Sequence, residues 1–215
     1  MVYNFSDHAS VLGSYIAEIR DEQVQKDALR FRFNMERIDE IMGYELSKNL
    51  AYSSKEIITP LGISSCKVLL EQPVLITILR AGLAMHQGLM RTFDKADSAF
   101  ISAYRKHSSP EEFEIFLEYL AAPPLDNKIW IISDPMLATG NSMLAVYNTL
   151  KINGTPKKLI IVSAIASSFA IESLKSQLPP NTEFWLGAID DELTAQSYIV
   201  PGLGDAGDLA FGIKV

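Results

Sequence analysis

The stretch ISDPMLATGNSMLAV, residues 132–146, places a carboxylate, two hydroxyls and a glycine between two apolar runs. Asp134 ends the first run, and Thr139-Gly140-Asn141-Ser142 opens the second. A helix starting there offers unpaired N–H groups and a partial positive charge, which suits a phosphate dianion. Gly140 lets the main chain approach the anion, while Thr139 and Ser142 add hydroxyl donors. Thr139 or Ser142 would serve equally well as a plain helix cap. A cap does not account for Asp134. Its charge suits a ligand with hydroxyls beside its phosphate, as a ribose 5-phosphate has.

Other reactive side chains are sparse. Cys66 is the single cysteine; it lies in an apolar strand-like segment and is expected to be a buried small residue. His8, His86 and His107 are scattered, without the spacing of a soft-metal site. The net charge of −7 and the lack of any basic cluster longer than Lys157-Lys158 argue against a nucleic-acid partner. No apolar run is long enough to cross a bilayer, and MVYNFSDHAS lacks the pattern of a signal peptide, so a cytoplasmic location is expected.

The elements that must position the turn follow from periodicity. Residues 10–51 carry Leu29, Phe33, Ile38, Ile41 and Leu46 at helical spacing, predicting one long or two shorter amphipathic helices. KEIITP and SCKVLLE predict a short strand pair about Leu61-Gly62. From residue 74, apolar strands at 74–80, 98–105, 128–134, 157–165 and 182–189 alternate with helices at 81–93, 140–152 and 169–178. Such alternation predicts an α/β fold, a parallel twisted sheet with helices on both faces. Residues 106–127 read as an antiparallel excursion, either a flap over a site or a surface hairpin. The expected organisation is one domain over 1–215, with a helical extension at 1–51 and an α/β core at 74–190.

In open parallel sheets ligands bind beyond the carboxyl ends of the strands, where Asp134 lies. There DPMLATGNS resembles the phosphoribosyl-pyrophosphate (PRPP) loop of type I phosphoribosyltransferases, in the wording of the uracil phosphoribosyltransferase family. LRAG at 79–82 and YIVPGLGDAGDLAFG at 198–212 agree with that family, in the expected order.

The resemblance implies transfer of the 5-phosphoribosyl group from PRPP to uracil, forming UMP and pyrophosphate with Mg²⁺. The donor would be bound by Asp134, Pro135, Met136, Leu137, Ala138, Thr139, Gly140, Asn141 and Ser142, with Asp134 on the ribose hydroxyls and Ala138 to Ser142 around the 5-phosphate. Arg80 and Arg105 match arginines on the pyrophosphate side, and relatives can have a cis peptide at the first, for which Arg80-Ala81 is the candidate. Residues 198–212 would form the base-recognition loop, with the backbone of Ile199 and of Gly204, Asp205 and Ala206 reading the edge of uracil. Asp205 would also face the donor and its magnesium, so Asp205, Arg80, Arg105 and Asp134 are the candidate catalytic residues. Mg²⁺ would ride mainly on PRPP and water, with no direct protein ligand. A homodimer or larger homo-oligomer is implied, and a nucleotide activator such as GTP is left open. A phosphoribosyltransferase for another nucleobase, and a non-catalytic PRPP-binding regulator, are the alternatives.

The departures from the family are Asn141 in place of a second glycine, AIASSFAIE where Ala-Pro-Glu-Gly is usual, an acidic flap without the usual Thr-Leu-Glu-Pro, and FGIKV where FGT is more usual.

Overall fold

The computed structural model describes residues 1–107 and 113–214, with the side chains of 103–118 outside the described residues. The main sheet comprises β1 (Val2–Asn4), β4 (Val74–Leu79), β5 (Asp97–His107), β6 (Phe113–Ala121), β7 (Ile129–Ser133), β8 (Met136–Leu137), β9 (Lys158–Ser167) and β10 (Glu183–Asp190). Their order is β1-β10-β9-β7-β4-β5-β6, with β8 also on β9. Every pairing is parallel except β5 with β6. That exception is the antiparallel excursion expected at 106–127, of which residues 108–112 lie outside the described residues.

The strands are apolar throughout because both faces are covered. Leu75, Ile131, Ile160 and Val162 point into one core, packed by α1 (Val11–Arg20), α2 (Ala28–Ser47) and α3 (Leu83–Thr92). Ile76, Trp130, Ile132 and Ile161 point into the other, packed by α4 (Asn141–Lys151) and α5 (Ser168–Gln177). The helical pattern of residues 10–51 therefore resolves into two helices. Asp27 starts the second by accepting from the Leu29 and Arg30 N–H groups, each at 3.0 Å. α2 lies so close to α3 that a β-carbon on Gly88 would collide with the Glu36 carbonyl.

The strand pair β2 (Tyr52–Thr59) and β3 (Gly62–Leu69) forms a separate two-stranded sheet. This corrects the expectation for Cys66, which is exposed. Six of the eight residues of β3 are exposed because no second layer covers the hairpin. An apolar strand pattern is not by itself evidence of burial.

Two buried ionisable groups act oppositely on stability. His86 on α3 lies 3.0 Å through Nε2 from Ser98 Oγ, and burial pushes its pKa from 6.5 down to about 4. The unfolded chain takes up that proton near pH 6.5 whereas the folded chain resists it. The contribution of His86 is thus complete above pH 6.5 and lost as pH falls towards 4, a span of roughly 3 kcal/mol. Asp39 on α2 is buried with neither carboxylate oxygen hydrogen-bonded among the described residues, and burial pushes its pKa well above 3.8. Its unfolded form ionises first, so stability falls as pH rises above 3.8. Urea unfolding of His86→Leu and wild type at pH 7 and pH 4.5 checks the sign: the variant is expected to lose less stability on acidification, by up to roughly 3 kcal/mol.

Candidate active site

The segments singled out in the sequence lie at the carboxyl ends of β4, β7, β9 and β10. The phosphate turn is fastened to β9 along its length. The Asp134 N–H donates to the Val162 carbonyl at 3.1 Å, Ile165 N–H to the Pro135 carbonyl at 3.0 Å, and Ser167 Oγ to the Ala138 carbonyl. Met136 and Leu137 form β8 beside Ile165 and Ala166. Gly140 occupies the N-cap of α4 with φ +80° and supplies no side-chain cap. Among the described residues Thr139 Oγ1 accepts only a long 3.4 Å bond from Asn141 N–H, and Ser142 forms no cap bond. The start of α4 is therefore largely open, as an anion site requires.

Asn141 is the first helical residue and is exposed, and it is not among the residues of positive φ. The left-handed step falls on Gly140 alone, so the second glycine of the family pattern is dispensable to this geometry. A β-carbon at Gly140 would also sit 2.9 Å from Leu174 Cγ. Gly140→Ala is expected to raise the KM for PRPP about tenfold, the equivalent of 1–2 kcal/mol of left-handed strain, with little change in the KM for uracil. Steady-state kinetics with each substrate varied in turn checks this.

The second wall is the turn after β4. Here the non-proline cis bond is Leu79-Arg80, one residue before the expected Arg80-Ala81. Gly82 is required because a β-carbon there would lie 2.4 Å from Thr77 Oγ1. Arg80 does not project freely. Its Nη2 donates to Asp208 Oδ1 and to the Gly212 carbonyl, both at 2.7 Å, and its Nε is buried without a partner among the described residues. Arg105 lies on β5, three residues past Ser102, which pairs with Leu79. The Arg105 side chain lies outside the described residues.

The C-terminal segment forms the third wall. Ile199 is buried in β12 (Ile199–Val200), paired with β11 (Glu192–Leu193). A turn through cis Val200-Pro201, Gly202 (φ +54°) and Gly204 (φ +95°) leads to α6 (Ala206–Phe211). Gly204 is exposed and Ala206 buried. Asp205, half-buried, caps α6 by accepting the Asp208 N–H at 3.0 Å.

Sequence reasoning missed the groups that hold these walls in place. Asp208 anchors Arg80, and Asp190, paired with Arg20, holds Gly202. The available signals were acids at marked positions: Asp208 three residues after Asp205, and Asp190 at the end of an apolar strand.

A parallel sheet bearing an open phosphate turn, an arginine turn and a glycine-rich C-terminal segment defines a type I phosphoribosyltransferase. The model of the family "Uracil phosphoribosyltransferase" matches residues 6–213, and the chain belongs to that family. It is 48% identical to the uracil phosphoribosyltransferase of Porphyromonas gingivalis, over 96% of this chain and 95% of that protein. It is 35% identical to that of Pyrococcus furiosus, over 100% of this chain and 91% of that protein. Among solved structures it is similar to the AQ2163 protein of Aquifex aeolicus, with TM-score 0.88, 27% identity and 100% of both chains covered.

Proposed function

We propose that this chain transfers the 5-phosphoribosyl group from PRPP to N1 of uracil, yielding UMP and pyrophosphate. The observation that carries the reading is the contact between Arg80 and the Asp208–Gly212 segment, at 2.7 Å to each acceptor. It joins the proposed pyrophosphate turn to the proposed base loop across 128 residues of sequence.

In this reading Asp134 holds the ribose hydroxyls, and Pro135 to Ser142 enclose the 5-phosphate with backbone N–H groups and the open start of α4. Arg80 and Arg105 stabilise charge building on pyrophosphate as its bond to C1 of ribose breaks. The base loop holds N1 of uracil against the opposite face of the sugar, so catalysis is mainly positioning. Main-chain groups of Ile199 and Gly204 to Ala206 read the edge of the base. Cytosine, with one donor and one acceptor exchanged, would leave buried groups unpaired.

Among the described residues no three His, Cys, Asp or Glu side chains gather as a metal cage. In this reading Mg²⁺ would enter on PRPP with water as its other ligands, and Asp205 would face it. The ion supplies charge neutralisation on the leaving group.

The organisation of residues 1–215 as one unit, with extension, core, flap and base loop, is part of this reading, as is a cytoplasmic location. Among the described residues no helix is long and apolar enough to cross a membrane. Self-association is proposed as well. The hairpin β2–β3 bears Ile58, Leu61 and Ile63 at 88%, 100% and 71% exposure, and a lone two-stranded hairpin is marginal in water. A monomer in sedimentation at micromolar concentration would overturn that part.

The activity is tested with purified protein, labelled uracil, PRPP and Mg²⁺. UMP formation, absent with cytosine and hypoxanthine and abolished by EDTA, is expected. Consumption of another base would overturn the uracil assignment, and PRPP binding without turnover of any base would favour a regulator.

A further inference from the structure

The base loop is gripped from the N-terminal helices. Gly202 has both main-chain polar groups engaged: its N–H donates to Asp190 Oδ2 at 3.0 Å, and its carbonyl accepts from Arg20 Nη1 at 3.0 Å. Arg20 and Asp190 are joined by two parallel bonds, Nη1 to Oδ2 and Nη2 to Oδ1, each 2.8 Å. One residue on, the Leu203 carbonyl accepts from the Gln25 side-chain amide at 2.8 Å, in the orientation that also places that amide 3.2 Å from the Ile19 carbonyl. Leu203 itself is buried. The clamp thus fixes the two residues immediately before Gly204.

The design of this contact points to registry. Asp190 is 8% exposed, so the pair sits largely out of water, where desolvation offsets most of the Coulombic gain. Such a pair contributes little net stability, whereas its bidentate geometry fixes orientation closely. A side chain at Gly202 would collide with the Ile199 carbonyl, so the turn closes only on glycine. The clamp holds that closed turn by its backbone and leaves Gly204 facing open space.

We propose that Arg20 and Asp190 are positioning residues for base recognition. They set the main-chain donors and acceptors of Gly204 to Ala206 at the angles uracil requires, and Gln25 supports them. This rests on the reading of Gly204 to Ala206 as the base loop. The N-terminal helical extension is then a working part of the specificity site, tied to it across 182 residues of sequence.

The test measures both KM values, kcat and Tm for Arg20→Ala, Asp190→Asn and Gly204→Val. Arg20→Ala and Asp190→Asn are expected to raise the KM for uracil about tenfold or more, the equivalent of one lost charge-assisted hydrogen bond. The KM for PRPP and kcat at saturating uracil should stay within about twofold. Millimolar guanidinium should restore the uracil KM of Arg20→Ala while leaving wild type unchanged. An unchanged uracil KM in both clamp variants, or a fall in every parameter together with Tm and no guanidinium rescue, would overturn the proposal. Gly204→Val separates it from the reading beneath it. If that variant leaves the uracil KM unchanged, the base-loop assignment fails. If it raises the KM while the clamp variants do not, only the clamp fails.

Discussion

Replacing Arg80 by methionine is expected to lower kcat by about 10²–10³-fold, the loss typical of removing one charged donor from developing anionic charge. Arg80 is fixed at its guanidinium by Asp208 and the Gly212 carbonyl, with Nε buried beside them. Such anchoring preorganises a cation at the end of β4 without reorganisation during reaction. The cost to the fold should be small. The side chains of Arg80 and Asp208 are 35% and 31% exposed, and an ion pair so accessible contributes roughly 1 kcal/mol or less. Arg80→Lys should restore little, because both bonds are made at Nη2, the far end of the side chain, and a compact ammonium on a different stem does not present a planar guanidinium there. Turnover at saturating substrates, measured beside thermal unfolding, checks this. A variant with wild-type turnover would remove Arg80 from the site.

Asp205→Asn is expected to lower kcat by about 10²-fold while shifting Tm by no more than a degree or two. The separation follows from the capping bond. Asp205 accepts the Asp208 N–H at 3.0 Å to start α6, and asparagine caps helices as well as aspartate. Only the charge proposed to face the donor is lost. Asp205→Ala removes cap and charge together and should cost about 1 kcal/mol of stability besides the activity. If the asparagine variant turns over as wild type while the alanine variant is merely less stable, Asp205 is a cap and nothing more.

These residues also show what a sequence discloses. The strands at 74–79, 129–133 and 158–167 were legible because burial on both faces removes polar positions from them, and that loss is visible locally. The phosphate turn was legible for a related reason: a left-handed glycine, hydroxyls and a strand-end acid fall within nine consecutive residues. Cys66 misled because periodicity records which residues share a face, not whether anything covers it. The Arg20–Asp190 pair was beyond reach, its partners being 170 residues apart and each unexceptional in its own segment. The break between α1 and α2 was half-legible, since Asp21 and Asp27 are ordinary charges until their capping bonds are seen.

The division of the sheet residues between two cores carries a further consequence, one of parity. Along β7, Trp130 and Ile132 serve one core while Ile131 serves the other, so the strand has an odd and an even side. Inserting one residue there would exchange the two sets and displace Asp134 by about 3.3 Å along the strand. Such a change would spoil two cores and the position proposed for sugar binding at once. A one-residue insertion is therefore expected to be far more damaging in β7 than in a turn that counts towards neither core. The strand's arithmetic holds the chemistry in place as firmly as any bond within the site.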